Sequence, residues 1–311
     1  MLKTTSPLRY PGGKTCLADR VAHILRVNRL ERGHYAEPYA GGCGLALALL
    51  YGGHVSDIHI NDLDRSIWAF WHAVLNRTEE FVDKIQSTHV TIEQWHEQRH
   101  IQQAHKTADQ FDLAFATFFL NRTNRSGVIK NAGVIGGLSQ TGNYKIDCRF
   151  NKNDLVRRIR RVQKYHRRIH LHNMDALDFI DHVDNNLPDD TFLYIDPPYF
   201  NKGSKLYTSF YLPNDHEILS LRILRLSCPW IVTYEKVEEI QKLYTSRRQF
   251  ELSLNYSVQT KRIGSEIVVA SKGLRIPDEL RARQVHRPQY RAGLSYQISS
   301  SAGEPLADGS S

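Results

Sequence analysis

Cysteine is scarce in this sequence. There are four in 311 residues, at 16, 43, 148 and 228, and no two form a CxxC pair. That spacing argues against a disulfide framework or a thiolate zinc site, and suits reduced thiols in a cytoplasm. No run approaches the roughly 18 uninterrupted apolar residues that a membrane span needs, so no membrane segment is expected. The opening MLKTTSPLRYPGGK lacks the apolar stretch of a secretory signal, which again makes a cytoplasmic location the expectation. The Gly-x-Gly-x-x-Gly fingerprint is missing too, so a dinucleotide is not favoured.

Positive charge, by contrast, is concentrated. Between Leu120 and His170 there are 13 Lys/Arg against two Asp, a net of +11, while the rest of the chain carries 28 basic and 31 acidic residues. A solvated helix face normally mixes signs, so a single-sign block points to a polyanion, most simply nucleic acid.

Several strand–turn–helix patterns frame that block. HYAEPYAGGCGLALALLYGG (34–53) reads as a short strand, a glycine turn and an apolar helix stopping at Gly52-Gly53. VSDIHINDLD (55–64) alternates apolar and polar residues as a second strand ending near Asp62, and RSIWAFWHAVL returns to helical spacing. The pattern resumes at RIHLHNMDALDFID (168–181), at Thr191–Ile195 and at WIVTYE (230–235), with FELSLNYSVQ and SEIVVAS as a closing antiparallel pair. This is the alternation of a doubly wound α/β sheet. Residues 1–75 and 166–273 are expected to form its core, and 76–165 a largely helical insertion. Beyond 273 the chain loses periodicity, so 274–311 is expected to be a disordered tail.

Three strand ends carry chemistry. Gly41, Gly42 and Gly44 allow a backbone to approach a ligand closely. Asp62, at the next strand end, sits where nucleoside-binding sheets hold ribose hydroxyls. In Asp196-Pro197-Pro198-Tyr199 the prolines cannot continue a ladder, so the strand stops at a carboxylate. Asp196 and the Pro197 carbonyl could accept both hydrogens of an exocyclic amine, leaving its lone pair free to attack. Tyr199 could stack on an extruded base.

In their order these pieces resemble the Dam-like class of DNA adenine methyltransferases: RYPGGK (9–14), AEPYAGGCG (36–44), NDLD (61–64), FFLNRTNRSGV within the insertion, then DPPY (196–199). The resemblance covers residues 6–272. It implies a Rossmann-like seven-stranded sheet with a target-recognition insertion at 76–165, S-adenosylmethionine as cofactor, and methyl transfer to the exocyclic amine of a flipped adenine in duplex DNA. By the same resemblance, Tyr10, Lys14, Glu37, Gly41, Gly42, Asp62, Asp175 and Asp196 would line the cofactor or active site, with the DPPY residues catalytic. Arg122, Arg125, Lys130 and Lys145 would contact DNA, and the Arg157–Arg168 run its phosphates. A cognate restriction endonuclease is a second candidate partner, and no metal is implied. The loop VIKNAGVIGG departs from the Arg-Tyr-Asn stretch common in readers of GATC, so that target is not carried over. RNA adenine methylation and a catalytically inactive DNA-binding relative stand as alternatives.

Two other motifs compete. HEQRH (96–100) has the spacing of a zinc hydrolase helix, but no third ligand follows in register and no glutamate occurs between Glu97 and Glu217. PGGKT (11–15) is similar to a phosphate loop, yet its first glycine would fall on Leu8. A glycine-lined turn with Lys14 facing the site fits better.

Overall fold

The computed structural model describes residues 5–10, 12–200, 211–256, 262–281 and 283–288. Its centre is an eight-stranded sheet in the order β3-β2-β1-β4-β5-β7-β6-β8. The strands are β1 (His34–Glu37), β2 (Asp57–Asn61), β3 (Ile169–His172), β4 (Phe192–Ile195), β5 (Trp230–Glu235), β6 (Arg248–Tyr256), β7 (Arg262–Ala270) and β8 (Gln284–His286). The first five are mutually parallel, and β7, β6 and β8 close the sheet antiparallel. Strand order therefore reverses between β1 and β4. In open α/β sheets that switch point opens a crevice at the carboxyl ends of the strands.

The central strands are buried on both faces, so Tyr35, Ala36, Ile58, Ile60 and Phe192 to Ile195 form nearly continuous apolar runs. Helix α1 (Ala18–Val27) leads into β1 and buries Val21, Ala22, Ile24 and Leu25. Helix α2 (Gly44–Tyr51) is apolar all round, and Leu45, Ala46, Leu47, Leu49 and Leu50 are all buried. Helix α3 (Arg65–Asn76) starts at Asp64, whose carboxylate caps the Ser66 N–H.

The insertion is helical, with α4 (Thr78–Ser87), α5 (Ile92–Gln103), α6 (Gln110–Thr123) and α7 (Lys152–Gln163) around an irregular stretch from 124 to 151. It packs on the sheet domain without a break. Phe70 and Trp71 of α3 share one apolar cluster with Phe81, Phe115, Phe118 and Phe150. Helix α7 buries Leu155, Val156, Ile159 and Val162 and turns its arginines outward. Helix α8 (Ala176–Asn186) follows β3, α9 (Pro213–Ile223) precedes β5, and α10 (Glu238–Leu243) precedes β6. Among the described residues no helix is long and apolar enough to cross a membrane.

Two expectations need correction. The sheet has eight strands rather than seven, and order does not end at residue 273. Leu274, Ile276 and Leu280 are buried, Asn28 and Arg275 exchange two hydrogen bonds (2.8 and 2.7 Å), and α11 (Asp278–Arg281) leads to β8 on the edge of β6. Burial of these three side chains opposes the entropy that would otherwise free the segment. Residues 289–311 lie outside the described residues.

Candidate active site

The loops after β1, β2 and β4 share one edge of the sheet, because these three strands are parallel neighbours. After β1 the chain turns through Gly41 (φ +45°), Gly42 and Cys43 (φ +52°) into α2. A Cβ built on Gly41 or on Gly42 would come within 2.6 Å of Tyr10. The glycines are thus required by the tyrosine that lies on the turn, and Gly41 also by its backbone angle. Cys43 is buried, as a packing residue.

Asp62 holds this turn from the side. Its Oδ2 accepts the Gly41 N–H and its Oδ1 the Asp64 N–H, both at 2.9 Å. Each oxygen keeps lone-pair capacity for a further donor. Burial raises the Asp62 carboxyl to about 7, with the Asp64 charge adding to the rise and the two N–H donors opposing it. Glu37, at the end of β1, is buried and accepts the Tyr35 hydroxyl at 2.7 Å. Burial raises it to about 8.

At the end of β4 lies a compact charged cluster. Lys14 Nζ is 2.9 Å from Asp196 Oδ2 and 3.3 Å from Glu266 Oε1, with side-chain exposures of 4% for Lys14, 22% for Asp196 and 2% for Glu266. It also lies 3.3 Å from the Tyr199 hydroxyl and 3.2 Å from the Gly12 carbonyl. Thr233 on β5 donates to Asp196 Oδ1 at 2.8 Å. Asp196 is therefore gripped on both oxygens, by an ammonium and by a hydroxyl. Burial raises its pKa, Lys14 pulls it down and the Glu266 charge pushes it up again. Pro197 and Pro198 are buried, and Tyr199 is half-buried.

Of the residues singled out from sequence, Tyr10, Gly41, Gly42 and Asp62 thus meet at one turn, and Lys14, Asp196 and Tyr199 at another. Asp175 caps α8, its Oδ1 accepting the Leu177 N–H at 2.8 Å, and remains exposed next to the end of β3.

The basic residues divide. Arg125 and Lys145 are exposed, Lys145 donating to the Gln140 carbonyl at 2.5 Å. Lys130 is 3.5 Å from Asp64 Oδ2, and only 20% of its side chain is exposed. Arg122 is a correction. It is buried at 7% exposure, and its guanidinium donates to the Pro7 carbonyl, tying α6 to the amino-terminal segment. A guanidinium held there cannot reach a phosphate. The Arg157–Arg168 run is also partly structural: Arg158 donates to the Ser6 carbonyl, Arg161 stacks on Tyr51 and Arg168 donates to the Val55 and Ser56 carbonyls. Arg157, Arg160, Lys164 and Arg167 stay exposed. His96 and His100 are exposed on α5.

Sequence reasoning missed Glu266 and Thr233. Each is a polar residue flanking the apolar run of a strand, Glu266 in SEIVVA and Thr233 in WIVTYE, which was the available signal.

Residues 10–260 match the sequence family of D12 class N6 adenine-specific DNA methyltransferases. No curated protein matches the chain. Among solved structures, the chain is similar to a Pyrococcus horikoshii protein, PH1948, described provisionally as an RNA methyltransferase. The two share 9% identity at a TM-score of 0.37, over 86% of this chain and 88% of that one. Protein LPL1258 of Legionella pneumophila matches at 10% identity and a TM-score of 0.29, over 85% of this chain and 89% of the other.

Proposed function

The chain belongs to the D12 class of N6 adenine-specific DNA methyltransferases, and on that premise we propose that it methylates a flipped adenine in duplex DNA with S-adenosylmethionine as donor. The observation that carries this reading is the grip on Asp196, with Lys14 on one oxygen and Thr233 on the other. A carboxylate so held can accept a hydrogen from an amine without moving, which is the preorganisation that polarises a nucleophile. The Pro197 carbonyl, on the same rigid turn, is the second acceptor. The amine's lone pair then withdraws from the ring and points at the electrophile, and Tyr199 offers a face for the base.

The residues around the turn fit the donor. Asp62 has lone pairs left for ribose hydroxyls. Two carboxylates, the half-buried Asp196 and the buried Glu266, share the ammonium of Lys14, and this concentration of negative charge favours a cationic ligand. When bound, S-adenosylmethionine supplies a methyl group on a positively charged sulfur. Tyr10, the Gly41-Gly42 turn and Glu37 would form the wall beside it, and Asp175 its far end. Residues 1–75 and 166–273 act in this reading as the catalytic core, and 76–165 as the target-recognition unit. Arg125, Lys130 and Lys145 meet the DNA.

The test is transfer of labelled methyl from S-adenosylmethionine to unmethylated genomic DNA, with methylated adenines mapped by sequencing. Signal at one short motif is expected for the wild type, with none for Asp196→Ala, which should still bind DNA. Transfer to RNA in place of DNA, or equal loss of binding and transfer in Asp196→Ala, would overturn the reading. A mapped motif would also allow a search for a cognate endonuclease that cuts only the unmethylated site.

A further inference from the structure

We propose that Glu266 is a positioning residue of this enzyme: it sets the plane of the Tyr199 ring and holds Lys14 against Asp196. The inference rests on the reading of Asp196 and Tyr199 as the site of the substrate amine.

Glu266 is the lone acid in the described apolar run of β7, followed by Ile267, Val268, Val269 and Ala270, all buried. Its side chain is 2% exposed. An ionised carboxylate in such a place carries a large desolvation cost unless close partners offset it. Two such partners lie at one oxygen. The Tyr199 hydroxyl donates to Oε1 at 2.5 Å, and Lys14 Nζ lies 3.3 Å from the same atom. Lys14 in turn lies 3.3 Å from the Tyr199 hydroxyl and 5.4 Å from its ring centre. Glu266, Tyr199 and Lys14 therefore form a closed triangle, with Asp196 attached at the lysine corner.

The triangle has a consequence for chemistry. A tyrosine on a proline turn can swing about two side-chain bonds, and stacking requires one plane. Anchoring the hydroxyl to a carboxylate on a sheet strand removes that freedom before the base arrives. The same oxygen holds Lys14 at Asp196 Oδ2, which leaves Asp196 Oδ1 to Thr233. Stability does not explain the arrangement. Lys14 is shared between the buried Glu266 carboxylate and the half-buried Asp196 carboxylate, which repel each other, and exchanging one of them for an amide would relieve that repulsion. A carboxylate kept at the expense of stability, beside the motif that does the chemistry, points to function.

Glu266→Gln keeps the shape and the acceptor oxygen but removes the charge, and Tyr199→Phe removes the hydroxyl. Both are measured beside wild type and the double variant, using S-adenosylmethionine and amplified DNA free of methylated bases. For Glu266→Gln we expect kcat to fall at least about tenfold while KM for DNA stays within about threefold. Its melting temperature should be unchanged or higher. Tyr199→Phe should show the same split, and adding Glu266→Gln to it should cost less than about threefold more, because both loosen the same triangle of Glu266, Tyr199 and Lys14. A melting temperature that falls with activity would make Glu266 structural and overturn the inference. So would wild-type kcat in either single variant, or multiplicative losses in the double variant. If Glu266→Gln fails to fold, a folded Tyr199→Phe with wild-type kcat still overturns it. Asp196→Ala separates the two levels: wild-type transfer in that variant sinks the amine-site reading, whereas a dead Asp196→Ala beside an unaffected Glu266→Gln sinks this inference alone.

Discussion

Asn121 grips the backbone of Arg9 on both sides: its Oδ1 accepts the Arg9 N–H at 2.8 Å and its Nδ2 donates to the Arg9 carbonyl at 2.7 Å. The same Nδ2 reaches the Gly127 carbonyl at 2.8 Å, and Asn121 is fully buried. Tyr10 follows Arg9 directly, and Lys14 is one turn further on. The end of α6 is thereby registered to the segment that carries Tyr10 and Lys14 into the candidate site. Asn121→Ala should cost about 2–4 kcal/mol, since it strands buried backbone groups as well as losing the bonds. Urea denaturation measures this, and a loss under about 0.5 kcal/mol would show that the clamp is dispensable.

The basic residues should separate by experiment as they do by burial. Arg125→Ala and Lys145→Ala should leave the melting temperature unchanged and weaken DNA binding. Removing one cation from a phosphate lowers the slope of log affinity against log salt by about one. Arg122→Ala should do the opposite, because its guanidinium is spent on the Pro7 carbonyl. Its melting temperature should drop. If Arg122→Ala were fully stable and changed only the salt slope, its buried placement would be functionally irrelevant.

That contrast shows where local sequence stops being informative. The placement of Asp196, Gly41 and Asp62 was legible because each lies just past the end of a strand, and strand ends are written in nearby prolines, glycines and alternating apolar residues. Arg122 was misread because a positive charge looks the same whether its partner is a phosphate or a carbonyl at Pro7. Glu266 was missed for the complementary reason. Its partners, Lys14 and Tyr199, lie far away in the chain, and nothing within SEIVVA names them. Strand β8 escaped because Gln284, Val285 and His286 carry no apolar pattern, and its pairing depends on the edge that β6 offers.

Lys14 should control the protonation of Asp196. In Lys14→Met, burial and the Glu266 charge act on Asp196 without the ammonium that opposes them. The carboxyl then keeps its proton to higher pH, and a protonated Asp196 cannot accept an amine hydrogen on the oxygen that carries it. Residual transfer should be at least about a hundredfold slower, and its acid limb should move to higher pH. A pH–rate profile tests this, and an acid limb at the wild-type position would remove Lys14 from the titration.

Stability of the ligand-free protein should fall as pH rises from about 6.5 to about 8.5. Glu37 is raised from 4.5 to about 8 and Asp62 from 3.8 to about 7, both chiefly by burial. In the unfolded chain both are ionised above about pH 5, while the folded protein still holds their protons. Over that interval the folded state binds more protons, so stability declines with rising pH, and the decline is complete once pH passes the folded values. The histidines oppose this only at lower pH. Burial lowers His59 to about 3 and His172 to about 4, so their effect is to weaken the fold as pH falls below 6.5. Above about pH 7 they are neutral in both states and the two acids dominate. Melting temperatures at matched ionic strength should therefore be lower at about pH 8.5 than at about pH 6.5, and Asp62→Asn or Glu37→Gln should flatten the slope. A curve that rises across this window, or is unaltered by both substitutions, would mean that neither carboxyl holds its proton in the folded protein.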